Sequence, residues 1–406
     1  MQNTLYTCDN LFVLNGMNSE TVDLIYLDPP FNSKRTYSAP IGSKAAGSSF
    51  KDMWTWEDVD EEYLFTLVEH YPTLVEFIKS IQETHSKAMM AYVAYMAQRI
   101  IEMHRVLKDT GSFYLHCDPT ASHYLKILLD TVFGRDNFRN EIVWQYFMGG
   151  KSNRFFARKH DIILYYVKNA KSNYTFNSFD VKRYLDFKPS LKDDSKDALN
   201  GKDEFGYFSM VKCPDVWQIK GVFNMSNEYT GYPTQKPLAL LERIIKASCP
   251  QNGVILDPFC GCATTCVAAE RLGKRWIGID IEQKAAEILM ERLSDAQGKL
   301  FKNFIHLTKP PLRTDIKTET IGKDVKEKLF SQQEGCCNGC RIKIDIWHFE
   351  IDHIIPRAKG GGDYFENYQL LCGNCNKTKG DRPMEYLRMR IKQRLEMLNQ
   401  RITFGE

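Results

Sequence analysis

The 406-residue sequence lacks any apolar run of membrane-spanning length, and Met1–Asn10 carries no basic start followed by an apolar core. Neither a membrane-embedded nor an exported protein is expected, and a cytoplasmic one is. Charge of one sign is also lacking: 54 Lys and Arg stand against 51 Asp and Glu, a formal net charge of +3. A nucleic-acid footprint must therefore be local rather than spread over the surface. Eight of the 12 cysteines (Cys8, Cys117, Cys213, Cys249, Cys260, Cys262, Cys266 and Cys336) show no paired framework, so a disulfide scaffold is excluded for a reducing compartment. No internal repeat is present, which removes solenoids and propellers.

What is there is an alternation of strand-like and helix-like segments. Val22–Leu27 is a buried, β-branched run stopped by Asp-Pro-Pro, because prolines withdraw amide donors from a ladder. Polar, Gly/Ser-rich sequence from Asn32 to Ser49 predicts a mobile loop. Apolar spacing predicts a helix at Ala91–Leu107, closed by a turn at Lys108–Gly111, a strand at Ser112–His116 and a helix at Ala121–Phe133. Strands follow at Glu141–Tyr146 and Asp161–Val167. From Lys168 to about Tyr232 the periodicity weakens, which predicts an insertion or small subdomain. Helices at Pro237–Ala247, Thr264–Leu272 and Gln283–Leu293 then alternate with strands at Val254–Asp257 and Arg275–Asp280. Such alternation implies an α/β fold with a mostly parallel sheet covered on both faces. The polar, proline-bearing stretch Thr308–Lys323 reads as a linker between domains 1–307 and 324–406, and a last helix is expected over Glu385–Ile402.

Two segments of the first domain carry chemistry. Asp28-Pro29-Pro30-Phe31 stands at the C-terminal end of its strand, where open α/β sheets place ligands. An exocyclic amine on adenine or cytosine is a poor nucleophile, because its lone pair is delocalised into the ring. The Asp28 carboxylate and the Pro29 carbonyl could both accept from that amine and free the lone pair. Pro30 stiffens the turn, and Phe31 can stack on a base taken out of the duplex. A turn that merely ends a strand is the bland alternative. The second segment, Ile255–Thr265, runs strand, glycine-bearing turn, helix start, which brings backbone amides to a ligand. Asp280 ends the next strand, where an acid commonly accepts from ribose hydroxyls.

These motifs resemble the permuted β type of DNA amino-methyltransferase, with DPPF at Asp28–Phe31, the DPF-x-G-x-G-TT cofactor motif at Asp257–Thr265, and TQKP at Thr234–Pro237. Asp9-Asn10 also resembles the family's start, and the resemblance covers roughly residues 1–300. It implies a Rossmann-like sheet binding S-adenosylmethionine through Asp257, Phe259, Gly261 and Thr264, with Asp280 on the ribose and Thr234 near the carboxylate end. It implies double-stranded DNA as partner, with a target-recognition region at about 151–232. Adenine-N6 is favoured over cytosine-N4 by Asp ahead of the prolines. Ala263 departs from the family's second glycine, a methyl that could shift cofactor affinity, but small residues remain throughout and binding is expected to survive. A bacterial or phage origin follows, and the oligomeric state is left open, a dimer among the choices.

The C-terminal domain opens on Cys337-x-x-Cys340 and returns with Cys372-x-x-Cys375, two thiolate pairs with the spacing of a closed, structural zinc site. Cys336 is the adjacent alternative ligand. Between the pairs, Glu350-Ile-Asp-His-Ile-Ile-Pro356, a glycine triplet and Asn367 precede Asn376. This pattern resembles the HNH, or ββα-metal, nucleases. The resemblance implies His353 as general base, Asp352 and Asn376 as ligands of a catalytic Mg2+ or Mn2+, and Asn367 as the residue ordering the loop around His353. The expected function is adenine-N6 methylation joined to DNA cleavage, as in restriction–modification. Rivals are a non-cleaving HNH appendage, cytosine-N4 transfer, RNA methylation, and a nuclease with an inactive methyltransferase half.

Overall fold

The computed structural model describes residues 2–31, 35–40, 43–46, 49–52, 55, 71–146, 152–185, 200–203, 206–223, 226–297, 304–316, 322–382, 384, 386–388 and 390–394. The chain begins β1 (Asn3–Thr7), α1 (Asn10–Gly16) and β2 (Val22–Leu27), then a short antiparallel pair, β3 (Arg35–Ser38) with β4 (Ser49–Asp52). That pair lies where a loop was expected. Next come α2 (Pro72–Thr84), α3 (Lys87–Val106), β5 (Leu107–Cys117), α4 (Ser122–Phe133), β6 (Phe138–Gln145) and β7 (His160–Val167). β5 starts directly at the end of α3, and the turn expected at Lys108–Gly111 falls within it at a break in register. Leu107 pairs with Val22 and Ser112 with Leu24, so the four residues between stand outside that ladder, and Lys108 donates to the Asp23 carboxylate at 2.8 Å.

The weakly periodic region is a small sheet of β8 (Asp180–Leu185), β9 (Asn200–Asp203) and β10 (Gly206–Lys212), followed by β11 (Val216–Gln218). The rest of the first domain is α5 (Leu238–Ser248), β12 (Val254–Asp257), α6 (Thr264–Arg271), β13 (Arg275–Asp280), α7 (Gln283–Gln297) and β14 (Phe304–Leu307). The main sheet has the order β11-β6-β7-β5-β2-β12-β13-β1-β14, parallel except for β7. All six residues of β2 are buried, because helices cover both faces. On one face Val13, Ile78, Tyr92, Ile100, Leu125 and Leu129 pack on Ile25 and Leu27; on the other Leu240, Ile244, Val267 and Leu289 pack on Leu24 and Ile255. Each such side chain contributes about 1.5–3 kcal/mol of burial.

β2 and β12 are neighbours, yet the chain leaves them in opposite directions, β2 towards β5 and β12 towards β13. The crevice beyond their carboxyl ends is the switch point at which open α/β sheets bind ligands. Asp28 and Asp257 end these two strands.

The stretch read as a linker makes hydrogen bonds to the first domain over its described part. Asp315 accepts from the Ser19 amide at 2.8 Å, and Thr314 pairs with Asn18. After α8 (Lys323–Gln332), a hairpin of β15 (Phe349–His353) and β16 (Tyr368–Cys372) leads into α9 (Gly373–Lys379), a ββα unit. Residues 386–388 and 390–394 are helical, with Leu387 and Ile391 in the C-terminal core of Leu329, Phe349 and Leu370; 385, 389 and 395–402 of the expected last helix lie outside the described residues. Among the described residues no helix is long and apolar enough to cross a membrane.

Candidate active site and zinc centre

One cavity of about 340 Å³ opens at the switch point. Its lining includes Asp28, Pro29, Pro30 and Phe31 from the end of β2, Thr234 from the segment before α5, and Asp257, Phe259, Gly261, Thr264 and Asp280. The candidate catalytic and cofactor-binding residues of the first domain thus line one space. The β12 turn is shaped by Gly261 at φ +49°, where an added Cβ would press to 3.0 Å from the Tyr232 ring. The Asp280 carboxylate accepts from the Gly261 and Glu282 amides at 2.7 and 2.8 Å, so it fixes that turn as well as facing the cavity. Ala263 does not line the cavity. It sits at φ +57° at the start of α6, fully buried in the core. A left-handed backbone, rather than a close approach to ligand, explains why glycine suits this position, and alanine there carries about 1–2 kcal/mol of strain.

Burial raises the Asp257 carboxyl to about 7 and the Asp280 carboxyl to about 6. Asp257, buried, and Asp280, half-buried, line the cavity without a cationic partner among the described residues; acids so placed suit a ligand carrying an ammonium and a sulfonium, so the residues present fit S-adenosylmethionine. Asp9-Asn10 complete this wall. Asp9 caps α1, the Asn10 amide donates to the Pro258 carbonyl at 2.8 Å, and the buried Arg99 guanidinium donates to Asn10 Oδ1 at 2.6 Å and to Asp9 at 3.1 Å.

Around the DPPF segment lies a set of groups that motif reading missed. Lys236 Nζ donates to Asp28 Oδ2 at 2.6 Å, and both side chains are largely buried. The other oxygen, Asp28 Oδ1, is buried without a hydrogen-bond partner among the described residues. Behind Phe31, the Tyr26 hydroxyl and His116 Nδ1 are 2.9 Å apart, His116 Nε2 and Asp161 Oδ2 are 3.1 Å apart, and the Tyr146 hydroxyl donates to Asp161 Oδ1 at 3.2 Å. Burial, then the charges of Asp28, Asp257 and Asp161, push the Tyr26 hydroxyl far above its ordinary value. Burial also works to raise Asp161, but the bond and charge of His116, the Lys236 charge and the Tyr146 hydroxyl hold it below the usual carboxylate range. Lys236 lies inside the quoted TQKP motif, and a His and an Asp within otherwise apolar strands were a signal for the rest.

In the second domain the Sγ atoms of Cys337, Cys340, Cys372 and Cys375 lie within 4.8 Å of one another, with Cys340 and Cys372 at 3.8 Å. A tetrahedral zinc with sulfur bonds of about 2.3 Å has edges of about 3.8 Å, so the four thiols fit that ion. Burial works to raise the Cys337 thiol, yet amide bonds from Cys372, Cys340 and Gly339 outweigh it and leave the thiol lowered. Cys336 is not part of the cluster; its thiol points to the Glu334 carbonyl.

His353 ends β15 with Nε2 2.8 Å from Asp363 Oδ1, and Asp363 also pairs with Arg357. Asn367 closes the intervening loop: its Oδ1 accepts from the Ile355 amide at 2.8 Å, and its Nδ2 donates to the carbonyls of Ile355 and Gly362. Asp352 and Asn376 face each other's elements but are engaged elsewhere. Asp352 Oδ2 accepts from Lys379 at 2.9 Å and from Gln369 at 2.8 Å, while the Asn376 amide donates to Glu350.

A DPPF corner and a cavity lined by two acids, at the switch point of an α/β sheet, have the layout of an amino-methyltransferase joined to a ββα module. The chain belongs to the N6_N4_Mtase DNA methylase family, whose model matches residues 22–291, and the HNH endonuclease model matches residues 337–382. The DNA adenine methyltransferase YhdJ of Escherichia coli K12 is 29% identical over 297 residues, 72% of this chain and 83% of that protein. The type II methyltransferase M.BglII of Bacillus subtilis is 31% identical over 211 residues, 50% of this chain and 57% of that protein. Among solved structures, the putative DNA modification methylase TTHA0409 of Thermus thermophilus, complexed with S-adenosyl-L-methionine, is 16% identical. It covers 75% of this chain and 98% of its own at a TM-score of 0.44.

Proposed function

We propose that this DNA methylase transfers a methyl group from S-adenosylmethionine to the N6 atom of an adenine flipped from double-stranded DNA, and that its HNH module cleaves DNA with Mg2+ or Mn2+. The observation that carries the first half is Asp28 Oδ1, a buried acceptor with no partner among the described residues, in the cavity that also holds Asp257 and Asp280. Such an oxygen awaits a donor, and the exocyclic amine is the donor the reaction supplies. When bound, S-adenosylmethionine supplies an electrophilic methyl. The N6 lone pair forms the new N–C bond, the S–C pair stays on sulfur, and one N6 proton leaves to solvent. Asp28 and the Pro29 carbonyl orient the amine, Phe31 stacks on the base, and Asp257, Asp280 and Thr234 hold the donor. Adenine as target is supported by Asp before the prolines and by the E. coli relative's specificity.

In the second half, His353 activates water, with its imidazole held by Asp363, and Asp352 and Asn376 hold the metal. A second reading, an HNH fold kept only for binding DNA, is favoured by the ion pair between Asp352 and the buried Lys379, which already neutralises one of those ligands. One assay decides both halves. Unmethylated plasmid is incubated with tritiated-methyl donor, with and without Mg2+ or Mn2+, alongside Asp28→Ala and His353→Ala. Methyl transfer lost only with Asp28 and cutting lost only with His353 support the bifunctional enzyme. Methylation without cutting under either metal leaves a binding module, and no methylation overturns the first half. The proposed setting is the cytoplasm of a bacterium, or a phage-infected one, in restriction–modification.

A further inference from the structure

Asp28 does not present two equivalent oxygens to the cavity. Oδ2 takes the Lys236 ammonium at 2.6 Å, and Oδ1 is left buried and empty-handed among the described residues. The lysine is placed with care. Gln235, its neighbour, accepts from the Thr230 amide and hydroxyl at 2.9 and 2.8 Å and donates to the Glu228 carbonyl at 2.6 Å. On the other side the Leu238 amide donates to Glu228 Oε2 at 2.9 Å. Between these anchors the backbone turns through Thr234 at φ +61°, a left-handed conformation that a β-branched residue adopts only where the surroundings enforce it. The same ammonium lies 5.3 Å from the centroid of the Phe31 ring, so one side chain touches both the carboxylate and the stacking ring.

We propose that Lys236 is a positioning residue for methyl transfer: by holding Asp28 Oδ2 and lying against Phe31, it fixes the carboxylate plane and reserves Oδ1 for the target amine. A carboxylate free to turn about its side-chain bonds would share two oxygens among several orientations, only some of which meet the amine lone pair at the right angle. With Oδ2 pinned, one orientation remains, and it is reached before the base arrives. The lysine also leaves the carboxylate paired rather than buried as a lone charge. This inference rests on the methyl-transfer reading above.

The test uses the full chain, an unmethylated duplex and S-adenosylmethionine, with Lys236→Met, Lys236→Gln and Lys236→Arg. Lys236→Met and Lys236→Gln are expected to lower kcat about 100-fold, the scale of a small misplacement of a reacting group. The KM for DNA and the calorimetric Kd for S-adenosylmethionine should move by less than about 3-fold, because ground-state binding is not what is lost. Lys236→Arg, which keeps a charged donor, is expected to recover at least about a tenth of the wild-type kcat. A kcat left near wild type in the Gln and Met variants overturns the proposal. So does a loss confined to KM or to cofactor affinity, and so does an arginine variant as slow as methionine despite an unchanged thermal midpoint. If the uncharged variants fail to fold, arginine alone decides: activity within the stated tenth upholds the proposal and a further loss sinks it. Wild-type enzyme that does not methylate would instead remove the reading on which the inference rests.

Discussion

The imidazole of His116, wholly buried, lies 6.0 Å from the ring of Phe31 at an interplanar angle of 26°, so the ring expected to stack on the target base is itself backed by a histidine. Both imidazole nitrogens are engaged, by Tyr26 and by Asp161, which fixes the plane of the ring. His116→Ala would leave a buried hydroxyl and a buried carboxylate short of a partner. The expected loss of stability is about 2–4 kcal/mol, to be read from denaturant unfolding at neutral pH. Because Asp161 is held below the usual carboxylate range, its share of stability is present above the ordinary carboxylate value and disappears as pH falls through the lowered folded-state value. The gap between wild type and His116→Ala should therefore narrow on strong acidification. An equal gap at neutral and strongly acid pH would contradict this account.

The cofactor pocket makes a second pH prediction with the opposite sign. Asp257 and Asp280 are raised, to about 7 and about 6, so the ligand-free protein holds protons there that the unfolded chain releases at lower pH. Stability of the empty enzyme should fall as pH climbs from about 4 to about 7. A cationic ligand favours the ionised forms, so S-adenosylmethionine should bind with proton release near pH 6.5 and more tightly as pH rises towards 8. Calorimetry in buffers of different ionisation enthalpy measures the release directly. Asp257→Asn should remove most of it; unchanged proton release in that variant would mean that the carboxyl is already ionised.

The layout of the first domain could be read from its sequence because strand and helix periods alternate cleanly there. Val22–Leu27, Val254–Asp257 and Arg275–Asp280 stand in the structure with the boundaries read from the sequence. What escaped was pairing between distant segments. The start of β5 keeps its turn-like residues, Lys108-Asp-Thr-Gly111, as an irregularity: Leu107 pairs with Val22 and Ser112 with Leu24, so the strand begins before the turn rather than after it. The sheet of β8, β9 and β10 escaped because its strands carry no strict alternation of apolar and polar residues. The motif residues line the cavity, most of them because they sit at a strand end or glycine turn. Motif matching passed over Lys236, His116 and Asp161, whose importance lies in contacts across 45 to 208 positions of sequence.

Zinc content separates the two cysteine sets. The full chain should bind one zinc ion per molecule, measured by elemental analysis after dialysis. Cys375→Ser should lose that ion and unfold the C-terminal module, because a structural zinc supplies folding free energy of about 10 kcal/mol or more. Methyl transfer should survive, since the cofactor cavity is lined by residues between Cys8 and Glu282. Cys336→Ser should keep full zinc content, as its thiol stands outside the cluster. Zinc lost from Cys336→Ser instead would place that thiol among the ligands.

The ββα module offers a test that separates a working nuclease from a retained fold. Lys379, almost wholly buried, is bonded to Asp352 and to the His353 carbonyl, so it locks the end of β15 to α9. Lys379→Met would leave Asp352 a partly buried, unpaired charge, at an expected cost of about 3–5 kcal/mol to the module. If the module is a nuclease, a divalent metal can take over the freed carboxylate, and Mg2+ or Mn2+ should raise the thermal midpoint of Lys379→Met more than that of wild type. His353→Ala should then abolish cutting. Asp363→Asn, which weakens the hold on the imidazole, should slow it by about 10- to 100-fold, with methylation untouched in both. A Lys379→Met module that gains nothing from either metal, together with wild-type protein that leaves plasmid supercoiled, would assign the C-terminal domain to DNA binding alone.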